Sequence, residues 1–336
     1  MITKFTTTIR AINREEDKPL RILSFSVHEG YQAELAKTGN EFVHIPSPEG
    51  KAWDQDYRAR PKKVIEVDFD AFINMGKVDL ALSHTIPQRH ALTGICKDLN
   101  IPHICLMHCY PNEKWPEITL NQCKSDNEAD INVFTTQDAL DKWGYNGEEN
   151  SFVIKHGIDT SLFSKKEGQT SATVLTVSNH FRERGEELGY DRYEKVRALF
   201  GQNANDLFVH VGKSPDDWSK PASNPEELAH IYSGNGVFLN TCWRSVLPTS
   251  MLEAMSCGMP VVTASNPTID GIIENGKNGF VTDDPEEMAK CIQEILSNIN
   301  TRNKMGDEAR KTVEDQYGVD KMCSEWNKVF KQALIG

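Results

Sequence analysis

Short apolar runs, each closed by turn residues, alternate along this chain with stretches of helical period. The runs are RILSFSV (Arg21 to Val27), EFVHI (Glu41 to Ile45), VDLALSH (Val78 to His84), IPHICLMH (Ile101 to His108), ADINVF (Ala129 to Phe134), TVLTVSN (Thr173 to Asn179), LFVHVGK (Leu207 to Lys213), VFLN (Val237 to Asn240) and PVVTA (Pro260 to Ala264). Apolar runs of this length without alternation suit strands buried on both faces, and their alternation with helices predicts parallel sheets built from βαβ units. YQAELAKTG reads as a helix closed by Gly39, and the helix through His90 to Leu99 is ended by Asn100 and Pro102. MLEAM (Met251 to Met255) has the spacing of a buried helix bounded by Gly258. Asp284, Pro285 and an acidic first turn open a helix whose apolar face is Met288, Cys291, Ile292 and Ile295. The last segment is amphipathic through Met322, Trp326, Val329, Phe330 and Leu334.

Composition narrows this picture. A chain of 336 residues suggests two domains, and 38% apolar content supplies two cores. The net charge of −12 weighs against a protein that coats polyanions. Eight cysteines without a CxxC pair, and an opening MITKFTTTIRAIN without an apolar core, point to a reducing, cytoplasmic setting. No apolar run approaches the ~20 residues that span a bilayer, so no integral membrane contact is expected. The Pro- and Gly-containing stretch from Pro46 to Pro61 reads as a long loop of the first domain.

Candidate chemistry gathers between Val237 and Val281. The loop WRSVLPTS opens onto the N-terminus of the MLEAM helix, where unpaired amides and the helix dipole favour phosphate. Glu253, inside that helix, can accept hydrogen bonds from the vicinal hydroxyls of a ribose. In the first βα loop, His28, Glu29 and Gly30 supply one glycine only, so a nicotinamide or flavin site is weakly supported. His103, Cys105, His108 and Cys109 crowd together, but strand alternation sends His103 and Cys105 one way and His108 another, against a zinc site. The triplets DQD (Asp54 to Asp56) and DFD (Asp68 to Asp70) are chance features of an acidic chain, the second read as a helix cap.

Leu247, Pro248, Leu252, Glu253, Ala254, Met255, Gly258, Pro260, Val261, Val262, Asn275, Gly276, Asn278 and Gly279 stand in a register that resembles the retaining GT-B glycosyltransferases, specifically glycosyltransferase family 4. Ile154, Gly157, Ile158, Asp159 and Phe163 fit the end of that family's first domain, with Lys155 and His156 where Pro and Asn are usual. In the second domain Ser178 and Asn179 replace the family's Gly-Arg, Arg184 stands for its lysine, and Gly185 is kept; Arg182 offers the other cation. The family's first Glu, eight positions before Glu253, is Ser245 here. Between LFVHVGK and PEELAHIY one βα unit of the family is missing.

The resemblance implies an α/β fold of GT-B type: two Rossmann-like doubly wound domains facing across a cleft, with a C-terminal helix crossing back to the first. The expected boundaries are 1–165 for the acceptor domain, 166–315 for the nucleotide-sugar domain and 316–336 for the terminal helix, with a hinge near Lys165 to Ser171. It implies transfer of a sugar, with retention, from a nucleotide diphosphate sugar to a hydroxyl acceptor, by a hexosyl- or pentosyltransferase with no obligatory metal and no cofactor beyond that co-substrate. Arg182 and Arg184 would hold the diphosphate, amides around Leu247 and Pro248 the phosphate or sugar, and Glu253 the ribose. His108 would meet the donor sugar, and His28, Glu29 and Gly30 the acceptor. With Ser245 in place of the carboxylate, double displacement through that position is excluded, and a front-face mechanism assisted by a diphosphate oxygen fits. Left open are phage-type glycosylation of a modified nucleic-acid base, a non-catalytic sugar-nucleotide-binding protein, and a hydrolase or epimerase of the same fold.

Overall fold

The computed structural model describes residues 18–47, 52–55, 58–75, 77–112, 116–166, 171–215, 218–244, 246–269 and 271–335. The amino-terminal arm, Asp56 of the DQD triplet, the middle of the expected hinge (167–170) and Ser245 lie outside the described residues. The chain forms two compact units: one holds the chain up to Gly157 and again from Val319, and the other is Ile158–Gly318.

The first unit is built on seven strands: β1 (Arg21–Phe25), β2 (Glu41–Ile45), β3 (Val64–Glu66), β4 (Leu80–Ser83), β5 (His103–Met107), β6 (Ile131–Phe134) and β7 (Ser151–Val153). They pair in the order β3-β2-β1-β4-β5-β6-β7, every neighbour parallel. The period-two alternation of a pleated strand divides the core. Ile22, Leu80, Leu82, Ile104 and Leu106 face one side, while Leu23, Phe25, Val43, Ile45 and Ala81 face the other. The second layer of the first face is the C-terminal helix Val319–Ile335, which brings Met322, Trp326, Val329 and Phe330 against it. The opposite face is covered by the helix Ile86–Leu99, which begins four residues before the stretch the sequence marks. Thr85 Oγ1 caps it by accepting from the Gln88 amide, and Pro87 sits in its first turn, where a missing N–H costs nothing.

The second unit carries β8 (Val174–Val177), β9 (Phe208–Val211), β10 (Val237–Asn240), β11 (Val261–Thr263) and β12 (Gly279–Val281), in the parallel order β12-β11-β10-β8-β9. Leu175, Phe238 and Val261 pack under the helices Pro225–Gly234, Thr249–Ser256 and Ile299–Gln316. Val174, Val237, Leu239 and Val262 pack on the other face under Tyr190–Ala198 and Pro285–Ser297. In both sheets the strand order reverses beside the first strand: between β1 and β4, and between β8 and β10. Open α/β sheets form their ligand crevice at such a reversal, outside the carboxyl ends of the strands.

Candidate active site

Among the described residues four non-glycine positions hold a left-handed backbone: His28 (φ 52°), Asn100 (φ 50°), His180 (φ 57°) and Leu247 (φ 30°). Asn100 closes a helix, an ordinary use of this conformation. The other three stand in the loops that follow β1, β8 and β10, the strands that flank the two reversals. Backbone strain of ~1–3 kcal/mol held at such places is a mark of a functional loop.

In the first unit, four imidazoles from four strand ends meet. His28 follows β1, His84 follows β4, His108 follows β5 and His156 follows β7. The rings of His28 and His108 have centroids 4.2 Å apart, and Tyr31 sets its edge against His108 at 4.9 Å and His156 at 5.4 Å. The Gln32 amide Nε2 lies 2.6 Å from His84 Nε2, and His84 Nδ1 lies 2.9 Å from His108 Nε2. With Gln32 donating, His84 keeps its proton on Nδ1 and gives it to His108, so neutral His108 carries its own proton on Nδ1. Burial, then the charge of His28, holds both His84 and His108 well below the ordinary imidazole range. The same two causes bring His156 down to about 4. Tyr31 is fixed from behind by Trp326, whose indole Nε1 donates to its phenol at 2.7 Å.

A second polar group lies beside them. His44 on β2 is 3.0 Å from Ser26 Oγ, which donates to Glu66 Oε1 at 2.8 Å. Burial works to raise the Glu66 carboxyl, but the Trp53 amide, the Ser26 hydroxyl and the Arg60 guanidinium together hold it below the usual range. Glu29 accepts from the Asp54 amide at 3.2 Å, so of the expected acceptor residues it supports the neighbouring loop while His28 joins the imidazoles.

In the second unit the loop after β8 is tied to the loop after β9. The Asn179 side chain accepts from the Lys213 amide at 2.8 Å, and the His180 amide donates to the Lys213 carbonyl at 2.8 Å. Gly212 permits this approach: a Cβ there would stand 1.9 Å from the Ser178 carbonyl oxygen. Beside it is an open pocket of about 530 Å³, whose lining includes His180, Lys213, Ser219 and Lys220. None of Arg182, Arg184, Leu247, Pro248 and Glu253 lines that pocket. Arg182 lies over the Trp218 ring at 4.1 Å and donates to the Tyr190 hydroxyl at 3.1 Å. Trp218 itself stacks on His210 at 4.4 Å. Its place is therefore packing against the arginine and the histidine. Arg184 pairs with Glu187 one turn on, at 3.0 Å, both half-exposed.

The loop after β10 is anchored by Thr241, whose hydroxyl donates to the Leu188 carbonyl, and by Trp243, whose indole donates to the Glu186 carbonyl at 3.1 Å. Arg244 lies over the Trp243 ring at 4.4 Å. Leu247 is buried and its amide donates to Thr268 Oγ1 at 3.4 Å. Pro248, the residue before the helix Thr249–Ser256, has no N–H, so it cannot offer the amide expected of it. The helix's own first-turn amides, those of Thr249 and Ser250, have no intrahelical acceptor. Glu253 is half-buried, and its Oε2 accepts from the Tyr232 hydroxyl at 3.0 Å. The structure thus places Arg182, Arg184, Leu247 and Glu253 in or beside the loops at the β8–β10 reversal. His108 and His28 meet at the β1–β4 reversal. Sequence reasoning did not bring Gln32, His84, Lys213 or Arg244 to the site, and gave His156 no role; His84, His156, Lys213 and Arg244 stand in the loops just past a strand, and Gln32 in the helix Glu29–Leu35.

Two parallel-sheet, Rossmann-like units are the fold of the GT-B glycosyltransferases, and residues 219–312 match the family model described as Glycosyl transferases group 1. The chain is 27% identical over 255 residues to an uncharacterized glycosyltransferase of Haemophilus influenzae, a stretch covering 69% of this chain and 70% of that protein. Among solved structures, sucrose-phosphate synthase of Thermosynechococcus elongatus superposes with a TM-score of 0.69 at 14% identity, over 93% of this chain and 98% of that one. HepE of Anabaena in complex with UDP superposes with a TM-score of 0.71 at 14% identity, over 94% and 100%. The chain spans less than half the length of two further curated relatives, 30% of spore coat protein SA of Bacillus subtilis and 44% of a glycosyltransferase of Methanocaldococcus jannaschii. Among the described residues no helix is long and apolar enough to cross a membrane.

Proposed function

We propose that the protein transfers a sugar, with retention, from a nucleotide diphosphate sugar to a hydroxyl acceptor, as a family 4-like glycosyltransferase. The observation that carries this reading is that the group 1 family match at 219–312 spans the loop after β10, the helix Thr249–Ser256 and Glu253. Glu253 is the ribose ligand. Its Oε2 takes the Tyr232 hydroxyl, which orients a carboxylate of the kind that accepts hydrogen bonds from vicinal hydroxyls. Arg184 and Arg182 meet the diphosphate. The pair of Arg184 with Glu187 is a surface pair worth ~0–1 kcal/mol, readily exchanged for a bidentate contact with phosphate oxygens. The amides of Thr249 and Ser250 add donors at the helix start.

Ser245 offers a hydroxyl where the family has a carboxylate, so the front-face route is preferred. The bond from the sugar's anomeric carbon to the diphosphate oxygen breaks as the acceptor oxygen bonds to the same face, and the acceptor proton passes to the departing diphosphate. Guanidinium groups at that diphosphate stabilise its growing charge. The loop at His28, Glu29 and Gly30 serves the acceptor in this reading, and His108, which the resemblance would put at the donor sugar, packs against His28 of that loop and is taken here with the acceptor. No step requires a metal ion.

The test is a thermal-shift panel of UDP-, GDP-, ADP- and TDP-sugars, repeated on Glu253→Ala and Arg184→Ala, since a ligand that binds only the native state raises its stability. UDP-sugars come first because the HepE structures hold UDP and UDP-glucose. A shift with one nucleotide, lost in both variants, supports the donor site. Binding without turnover with any hydroxyl acceptor would assign a sugar-nucleotide-binding protein instead, and no shift with any donor would sink both.

A further inference from the structure

We propose that the imidazoles of His28, His108 and His156 form an anion site that takes a carboxylate or phosphoryl group of the acceptor. Only the word acceptor rests on the transferase reading; the site itself stands on the first unit's geometry. The three rings come from the ends of β1, β5 and β7, within ring contact of one another or of the shared Tyr31 edge. They stand on the carboxyl side of the sheet, where a ligand is expected.

The donor set favours an anion over a cation. Both nitrogens of His84 are used, one toward Gln32 and one toward His108 Nε2, so His84 and His108 spend their lone pairs within the cluster and His108 keeps an N–H. Among the described residues no group of three or more His, Cys, Asp or Glu is arranged to hold a metal ion. The neighbouring carboxylates are committed: Glu66 to Ser26, Trp53 and Arg60, and Glu29 to the Asp54 amide. The other groups that bear on the rings are His44, acting on His84, and Tyr31, itself faced by Cys323 and Trp326 of the C-terminal helix. Lys155 beside His156 is faced by Lys321 and Glu325 of the same helix. The rings repel one another's charge, so an anion set among them would relieve that repulsion and bring protons with it.

The experiment uses the whole chain labelled with 15N in its histidine rings. Sulfate stands for a phosphoryl group without titrating near neutrality, and acetate stands for a carboxylate. Added anion should move the His28, His108 and His156 ring nitrogens toward the imidazolium position. Affinity should fall by up to about tenfold per pH unit from about pH 6 to about pH 7 for each proton taken up. His28→Asn, chosen because Asn tolerates the left-handed backbone, and His156→Gln should each weaken binding at least about tenfold at pH 6. Arg184→Ala should leave it unchanged. A response to sulfate alone assigns a phosphoryl group and one to acetate alone a carboxylate. Ring signals that do not respond to either anion, affinity independent of pH, or full affinity in both folded histidine variants overturns the proposal. Sugar-nucleotide binding in the thermal-shift panel is read separately, so failure of the donor reading and failure of this site are distinguishable.

Discussion

The hydroxyl of Tyr232, a side chain with no solvent exposure, donates to the Glu253 carboxylate at 3.0 Å. The helix Pro225–Gly234 thereby orients a carboxylate that belongs to the next helix. Tyr232→Phe keeps the ring and deletes only that donor. A hydrogen bond to a charged group is worth about 1.5–3 kcal/mol, and water reaching the half-buried Glu253 will recover part of it, so urea denaturation should show a loss of about 1–2 kcal/mol. If Glu253 holds the ribose, donor affinity should fall in the same variant; donor affinity equal to wild type would remove Glu253 from that role.

Gly189 and Gly212 hold the loops of the second unit together by what they lack. A Cβ on Gly189, whose φ is 73°, would stand 2.1 Å from the Thr241 carbonyl oxygen, and one on Gly212 would stand 1.9 Å from that of Ser178. The obstacles are backbone atoms, so the loops must move. Gly212→Ala should lose about 1–3 kcal/mol in urea melts and widen the contact between the Asn179 and Lys213 loops. An alanine variant as stable as the parent would show that the loops are not closely packed.

Trp326 couples the C-terminal helix to the imidazoles through Tyr31. Trp326→Ala removes a side chain with no exposure and should lose about 3–5 kcal/mol. Trp326→Phe keeps most of the volume and loses the Nε1 donor. It should cost less, yet still shift the ring signals of His108 and His156. Silence of those signals in the Phe variant would mean that Tyr31 holds its place unaided.

Stability should fall on mild acidification. Burial holds His44 at about 3 and His103 at about 4, below the ~6.5 of an exposed imidazole. Between those values the unfolded chain binds more protons than the folded one, so stability rises with pH there and is lost as pH falls from about 6.5. Each such histidine contributes a slope of up to about 1.4 kcal/mol per pH unit. Urea midpoints measured from pH 7.5 down to 5 should drop steeply, and His103→Asn should flatten the curve. A flat profile in the parent protein would contradict the buried, neutral state of these rings.

The strands were readable because sheets covered on both faces need continuous apolar runs, and VDLAL, ICLM and VFLN are such runs. The helices Tyr190–Ala198 and Ile299–Gln316 carry no clear apolar signature in the sequence. Their surfaces are charged, and Ile299–Gln316 buries only a narrow stripe that includes Met305, Ala309 and Val313 at four-residue spacing. At the site, single residues after a strand were readable one at a time, as His28 and His108 were. Their meeting with His84 and His156 was not, because it depends on the strand order β1-β4-β5 and on Tyr31 spanning between rings. Arg184 illustrates the same limit: its residue type points to phosphate, while its surface pair with Glu187 is visible only in the structure.

The second unit is a single uninterrupted stretch whose two ends lie together. The Ile158 amide donates to the Tyr317 carbonyl at 2.7 Å, and Ile158 bridges Gly318. On the other side of the boundary, a Cβ on Gly157 would stand 2.9 Å from Val319 Cα, so the flanking ends of the first unit also touch. Residues 158–318 are therefore built like a cassette. They could be lifted out, or exchanged for those of a relative, through two junctions a few ångströms apart, leaving the histidine-bearing unit with a gap that one peptide turn would close.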